Sequence, residues 1–318
     1  MTTYIIRRLI TSVVVLIIVT LIVFFVLRFM PGDPVLVYLS QADLATLSPE
    51  QIATVKAELG LDKPIVQQYF VWMGDLLRGH FGTSLFLRED VGKLIAERLP
   101  ITLNITILAF LLNIPLGIGA GLVCALKRGK WEDTLVSAAT VLGVCIPIFW
   151  LGIMLIYFFG LKLGWLPIYG YTSPLDNLGM HARQLILPLI CVMVYGLASA
   201  ARQTRSSVLE VINQDYIRTA WSKGLSERVV VLRHLLKPSL LPVITLKGIA
   251  LGHIIGGNVL IEMVFNIPGM ARLSVEAVLA QDYTIVQAMV LISAVMVIFT
   301  NLLVDVTYGW LDPRVRYS

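Results

Sequence analysis

Of 318 residues, 57% are hydrophobic and only 14% are charged, where a soluble globular domain carries about 25% charged residues. That balance excludes a soluble fold and marks an all-α, polytopic membrane protein. The net charge of +5 follows from basic residues flanking the apolar runs, so it gives no reason to invoke nucleic acid.

The first apolar run, Leu9 to Leu27, carries no charge and follows Arg7-Arg8. At about 1.5 Å per residue it extends roughly 28 Å, close to the hydrocarbon thickness of a bilayer. It is too long for a signal-peptide core, and no Ala-x-Ala site follows it. Met30-Pro31-Gly32-Asp33-Pro34 follows instead, so residues 1–29 read as an N-terminal segment and an uncleaved first span.

Residues 30–100 read as an extracytoplasmic helical segment. Ser48-Pro49-Glu50-Gln51 has the form of an N-cap, a proline at the first helical position and a capping-box Gln. Ile52, Val55 and Leu59 then share a face, and Gly60 supplies a stop. A second helix is expected from Asp62-Lys63-Pro64 to Gly79, with Ile65, Tyr69, Trp72 and Leu76 on one stripe. A third amphipathic stretch, about Val91 to Leu99, leads to Pro100. Two uses stay open for this segment: packing on the outer ends of the bundle, and docking of an extracytoplasmic partner.

Residues 101–318 hold five further apolar runs, approximately Ile101–Leu126, Leu135–Phe159, Leu185–Ala201, Leu241–Val264 and Ile285–Tyr308. Pro115, Gly117, Gly119 and Gly121 in the second span, and Gly143 and Pro147 in the third, are expected to serve tight helix packing. With the N-terminus inside, the inner segments hold Arg7, Arg8, Lys127, Arg128, Lys130, Arg202, Arg205, Arg218, Lys223, Arg228, Arg233, Lys237, Arg314 and Arg316. The short outer loops hold Lys162, Arg183 and Arg272. This bias places both termini in the cytoplasm and makes six spans.

The chemistry that is absent narrows the function. Cys124, Cys145 and Cys191 lie in apolar runs, and His80, His181, His234 and His253 have no ligand spacing. There is no Gly-x-x-x-x-Gly-Lys-Ser/Thr loop, no Gly-x-Ser-x-Gly and no His-Glu-x-x-His. No cofactor or metal site is expected in this chain, and no catalytic residue. Ionisable residues inside spans are the remaining candidates. Glu262 and Asp305 lie near span ends, where solvation or pairing is expected. Lys247 lies within snorkelling reach of the inner end, and lining a solute path is the equal alternative. His253 and Asn258 follow on that run and could face the same path.

The polar stretch 202–240 is the most specific feature. Asn213 or Asp215 can cap a helix running to Lys223 and closed by Gly224 in the left-handed region. Tyr216, Ala220 and Lys223 are spaced for one face, Ile217 and Trp221 for another, with Arg218 pointing elsewhere. Ser226-Glu227 starts another helix, which Pro238 and Pro242 should interrupt. A solvated connector lying on membrane lipid is the plain alternative.

Arg218-Thr219-Ala220-x-x-x-Gly224, followed by Leu241-Pro242, resembles the EAA loop of binding-protein-dependent ABC importer permeases. The first two letters depart from Glu-Ala, as is usual in the dipeptide/oligopeptide/nickel branch. Further matches to that branch are Pro31-Gly32-Asp33-Pro34, Leu59-Gly60-Leu61-Asp62-x-Pro64, Phe81-Gly82-x-Ser84, Pro147-x-Phe149-Trp150 and Gly164-Trp165-Leu166-Pro167. Gly257-x-x-x-x-Glu262-x-x-Phe265-x-x-Pro268-Gly269, Asp282-Tyr283 and Asp312-Pro313-Arg314 complete the series.

The resemblance implies a type I ABC importer-like permease fold in the inner membrane of a prokaryote, importing di- or oligopeptides, with nickel, glutathione or another small solute as the alternative. It implies a second homologous permease, two cytoplasmic ABC ATPases that bind the ATP and Mg, and an extracytoplasmic solute-binding protein. Asp215, Tyr216, Arg218, Thr219, Ala220, Gly224 and Leu225 would then form the coupling helix and its turn, with Ala220 allowing close approach and Tyr216 and Arg218 as anchors. Lys247, His253 and Asn258 are candidates for the translocation path. An ion-coupled secondary transporter would need inverted repeats with matching broken helices, and an intramembrane enzyme would need a nucleophile or metal cluster.

Overall fold

The computed structural model describes residues 2–29, 62–84, 86–252 and 258–311. The expected helix at Ser48 to Gly60, His253, Gly257 of the Gly257-to-Gly269 motif and the Asp312-Pro313-Arg314 motif lie outside the described residues. The described residues are almost wholly helical and form two compact units, Thr2–Ile101 with Gly269–Ile298, and Thr102–Pro268 with Phe299–Ser318.

In the first unit, α1 (Thr2–Phe29) is apolar along most of its length and leaves Ile10, Val13, Ile17, Ile22 and Val26 exposed. The helix α2 (Ile65–Leu77) starts after Pro64 and stops at Gly79, whose φ is +84°, as the sequence pattern predicts. Its expected stripe is the face it buries. The Tyr69 ring stands 5.4 Å from that of Phe24 and Trp72 stands 5.6 Å from it, while the Tyr69 hydroxyl pairs with Thr20 Oγ1 at 3.0 Å. The unit also contains α10 (Met270–Leu279) and the start of α11 (Tyr283–Leu311). Asp282 caps α11 by accepting from the Ile285 amide at 3.1 Å. Its other oxygen accepts from Ser84 Oγ at 2.6 Å and the Phe86 amide at 3.1 Å. The Phe81-to-Ser84 and Asp282-Tyr283 motifs are therefore two halves of one joint.

Four expectations about continuity are corrected. The stretch Val91 to Leu99 is not a separate helix: α3 runs unbroken from Val91 to Leu126, through Pro100 and Pro115. Each proline removes one backbone donor, a loss that surrounding helices can absorb in a membrane. The third span, by contrast, is not one helix. It divides into α4 (Trp131–Cys145) and α5 (Ile148–Leu155), the latter continuing as a π-helical stretch Ile156–Lys162. The two halves bend by 103°. Pro147 forces Ile146 out of the helical region, to φ −73° and ψ 124°, as the residue before proline requires.

The helix α6 (Leu178–Val211) is longer at both ends than its apolar core and is capped by the Asn177 side chain on the Met180 amide. After α7 (Asp215–Ser222), a helical lead-in from Glu227 passes through a π-helical stretch Val230–Leu235 into α8 (Leu236–Gly252). Pro238 and Pro242 lie inside this element and do not interrupt it. The expected fifth span, Leu241–Val264, is instead divided, because α9 (Val259–Val264) begins anew at Asn258, whose φ is −103° and ψ 4°.

Glycine fixes how closely α3 meets α6. A Cβ on Gly117 would fall 2.5 Å from that of Ala200, and one on Gly121 would fall 2.4 Å from the Ala201 carbonyl. Gly143 would meet Val194 at 2.9 Å. The packing expected of these three is present; Gly119, with nothing within 4 Å, does not share it.

Candidate functional site

The helix α7 is eight residues long, too short to persist alone in water, so its neighbours hold it. Gln214 is its N-cap, with extended φ −73° and ψ 146°, and no side chain caps it. The expected cap does not form: Asn213 Nδ2 donates to the Leu209 carbonyl at 3.0 Å, and Asp215 is the first helical residue. There its charge favours the positive end of the helix dipole. Thr219 and Ser222 hydroxyls donate back to the carbonyls of Asp215 and Thr219. The helix closes at Lys223, and Gly224 takes φ +75°, where a side chain is unfavourable.

The helix has two faces. Ile217 is 0% exposed and Ala220 is 6% exposed, packed with Ala125, Val208, Val230, Val231 and Leu235. This cluster joins the inner ends of α3 and α6 to the π-helical lead-in of α8. The grouping of Tyr216, Ala220 and Lys223 is thus replaced, because positions 217 and 220 share the inward face. Ala220 is small against its own chain's core. Ile217 and Trp221, expected together, are parted: Trp221 is 40% exposed, Tyr216 48%. Asp215, Arg218, Thr219, Lys223, Gly224 and Leu225 are exposed as well. Arg218 and Asp215 approach to 3.7 Å, both strongly exposed, a pairing that contributes little to stability. The bare surface is therefore aromatic and charged, with its geometry set from beneath.

Sequence reasoning missed a brace near this helix. Arg205 of α6 donates through Nε and a terminal nitrogen to the two oxygens of Asp133 on α4, at 2.9 and 3.0 Å. The Gly129 amide donates to the same carboxylate at 3.1 Å. Asp133 lies two residues before the apolar run that opens at Leu135, and the Arg205 guanidinium and the Gly129 amide together satisfy its carboxylate. Arg205 was legible only as an inner-segment charge and Asp133 was not singled out, because their pairing joins positions 72 apart.

Deeper in the same unit, three polar positions of α3 meet three partners from the end of α8 and from α9. Thr102 Oγ1 donates to Glu262 Oε1 at 2.5 Å, and Asn258 Nδ2 to Thr106 Oγ1 at 2.5 Å. Lys247 Nζ donates to Asn113 Oδ1 at 2.9 Å and to the Gly196 carbonyl at 2.8 Å. Lys247 is buried, so of its two sequence readings, snorkelling to the interface does not hold. Its ammonium ties α8 to α3 and α6. Asn258 also lines a cavity of about 340 Å³ with Gly143, Ile146, Leu151, Cys191 and Tyr195, beside the bend at Pro147.

Residues 117–317 match the family described as binding-protein-dependent transport system inner membrane component, and residues 1–106 match the N-terminal part of such membrane components. A putative peptide transport system permease protein of Brucella abortus is 41% identical over the full length of both chains. The dipeptide transport system permease protein DppB of Alkalihalophilus pseudofirmus is 36% identical, and the glutathione transport system permease protein GsiC of Escherichia coli is 37% identical, each again covering all of both chains. Among solved structures, an inward-facing MetNI methionine ABC transporter chain aligns with TM-score 0.55 at 17% identity, covering 69% of this chain and 96% of that one.

Proposed function

The chain belongs to the family of binding-protein-dependent transport system inner membrane components, and from that premise we propose that it serves an ATP-driven importer of di- and oligopeptides. It is a multi-pass transport permease of the peptide family. In the proposed assembly it lies in the cytoplasmic membrane, pairs with a second, homologous permease, and receives solute from an extracytoplasmic binding protein. Two cytoplasmic ATPases bind the ATP and Mg and supply the work. Peptide is favoured over nickel because the relatives named above carry peptides, dipeptides or glutathione, all of them amide-linked amino acids.

One observation carries the mechanism: α7 is seated by Ile217 and Ala220 while Tyr216, Trp221 and Leu225 stay bare. An ATPase gripping the bare face would pull on a helix already packed against α3, α6 and α8. Movement of the grip would pass into those spans as a rigid body and shift the balance between outward-open and inward-open states. Lys247 and Asn258 would keep the moving helices in register, with the cavity at Asn258 as the segment of the path this chain supplies.

The test uses Gly224. A Cβ there would meet nothing within 4 Å in this chain, so Gly224→Ala adds only the strain of a positive φ, about 1 kcal/mol. Gly224→Trp adds bulk toward the partner. Gly224→Trp is expected to abolish ATP-dependent dipeptide uptake, with the chain still inserted and Gly224→Ala largely active. Uptake measured in vesicles with collapsed ion gradients that survives in Gly224→Trp, or proceeds without ATP, would refute the reading.

A further inference from the structure

The second helix, α2, carries a stripe that its own unit leaves uncovered. Tyr69 and Trp72 face Phe24 of α1. One side of the helix away from that contact presents Val66, Phe70, Met73 and Leu77, spaced four, three and four residues apart. Phe70 is 67% exposed and Leu77 81%. The other side presents Gln67 and Asp75 with the half-exposed Val71 between them, and Arg78 just beyond the helix pairs with Asp75 at 3.7 Å. A helix with three zones of this kind, one on protein, one apolar and one charged, has the form of an element lying in a membrane–water interface.

Its depth can be read from α1. With the N-terminus of α1 at the inner face, Phe29 is its outer end. Thr20, nine residues earlier, lies about 13 Å below that end along the helix axis. The Tyr69 hydroxyl reaches Thr20, and the Tyr69 and Trp72 rings sit at the level of Phe24 and Phe25. Arg28 folds its guanidinium over the Phe24 ring, 5.3 Å from the centroid. Away from Thr20 and Phe24 the surface of α1 is itself bare and apolar, with Ile18, Ile22 and Val26 exposed. A helix whose tyrosine hydrogen-bonds to Thr20 inside the span has part of its surface at the depth of the acyl chains.

We propose that α2 is a membrane-lying helix of the outer leaflet, with Val66, Phe70, Met73 and Leu77 embedded among lipid acyl chains and Gln67, Asp75 and Arg78 turned to the headgroups and water. The occupant of the stripe is lipid, because the stripe is apolar, belongs to a helix packed on a span whose own exposed side chains are apolar, and lies at a depth fixed by the contact of Tyr69 with Thr20. Tyr69 and Trp72 then fix α2 to α1 at that depth. The inference rests on α1 crossing the membrane and not on the solute carried.

The experiment places a nitroxide on single cysteines, Phe70→Cys, Leu77→Cys or Gln67→Cys, in the full chain with Cys124, Cys145 and Cys191 replaced by Ala. The chain is reconstituted in phosphatidylcholine–phosphatidylglycerol vesicles, with and without its partner subunits. Relaxation by oxygen is compared with relaxation by a water-soluble nickel chelate. Labels at 70 and 77 are expected to favour oxygen at a depth of roughly 5–10 Å below the headgroup boundary, and the label at 67 to favour the chelate. Chelate access at 70 equal to that at 67 would overturn the proposal in favour of water. Shielding of 70 and 77 from both reagents in the full complex would overturn it in favour of a protein partner. Should the cysteine-free chain not fold, Phe70→p-benzoylphenylalanine in the native chain gives the same decision: photo-adducts with acyl chains support it, adducts with another polypeptide refute it.

Discussion

Replacing Ile217 by Ala separates the seating of α7 from the grip proposed for its bare face. Ile217 is fully buried in the cluster with Val208, Val230 and Leu235, and its truncation leaves a cavity where α7 is held. Such changes cost about 2–5 kcal/mol. An eight-residue helix has little stability of its own, so most of that loss falls on the equilibrium between seated and unseated α7. At about 1.4 kcal/mol per tenfold, the unseated fraction rises by roughly 30-fold to several thousand-fold. Arg218 and Lys223 are exposed on α7, so trypsin cleavage there in inside-out vesicles reports the change directly. The bare face of Tyr216 and Trp221 is untouched, and so the ATPase should still copurify. The expected result is faster cleavage and retained ATPase binding, with peptide uptake falling much further than ATP hydrolysis. Unchanged cleavage and unchanged coupling in Ile217→Ala would refute the reasoning that α7 is driven through this seat.

Two further outcomes test the framework that carries the motion. Gly121→Ala places a Cβ 2.4 Å from the Ala201 carbonyl and 2.6 Å from Thr204 Cβ, an overpacking worth about 1–3 kcal/mol. The melting temperature in detergent should fall, while Gly119→Ala, with open space around it, should leave the melt unchanged. Lys247→Met keeps the stem but removes the donor to Asn113 Oδ1 and the Gly196 carbonyl. An orphaned buried acceptor costs about 1–3 kcal/mol, so a lower melting temperature together with reduced uptake is expected. A normal melt with lost uptake would show instead that the ammonium acts on the solute.

The spans were readable because membrane insertion is written in composition: long apolar runs, flanked by arginine and lysine on one side, need no tertiary information. Their continuity was not readable. Proline has the same local chemistry at 100, 115, 147 and 242, yet only the segment at Pro147 bends, by 103°. The others sit inside helices. What differs is whether neighbouring helices hold the backbone straight across the missing donor, and no window of sequence contains the neighbours. For the same reason Gly117 and Gly121 differ from Gly119 only by the side of α3 they occupy.

The helix α7 follows a similar division. Its C-terminal end was legible, because Gly224 needs a positive φ and glycine meets that need, whereas its N-cap is Gln214 and not the expected Asn213 or Asp215. Its faces are grouped differently from the expected pairs, because on so short and polar a helix the pattern of one isoleucine and one alanine is too sparse to say which residues turn inward together. The burial of Ile217 and Ala220 depends on Ala125, about ninety residues upstream, and on the π-helical stretch at Val230–Leu235. The motif that resembles the family's therefore combines two pressures. Ala220 answers to this chain's own core, and Arg218 and Thr219, exposed beside it, are free to answer to a partner. On this division Ala220→Leu should disturb the seat as Ile217→Ala does, whereas a change at Arg218 should act through the partner alone. A helix divided in this way could transmit force, since it is fixed on one side and bare on the other.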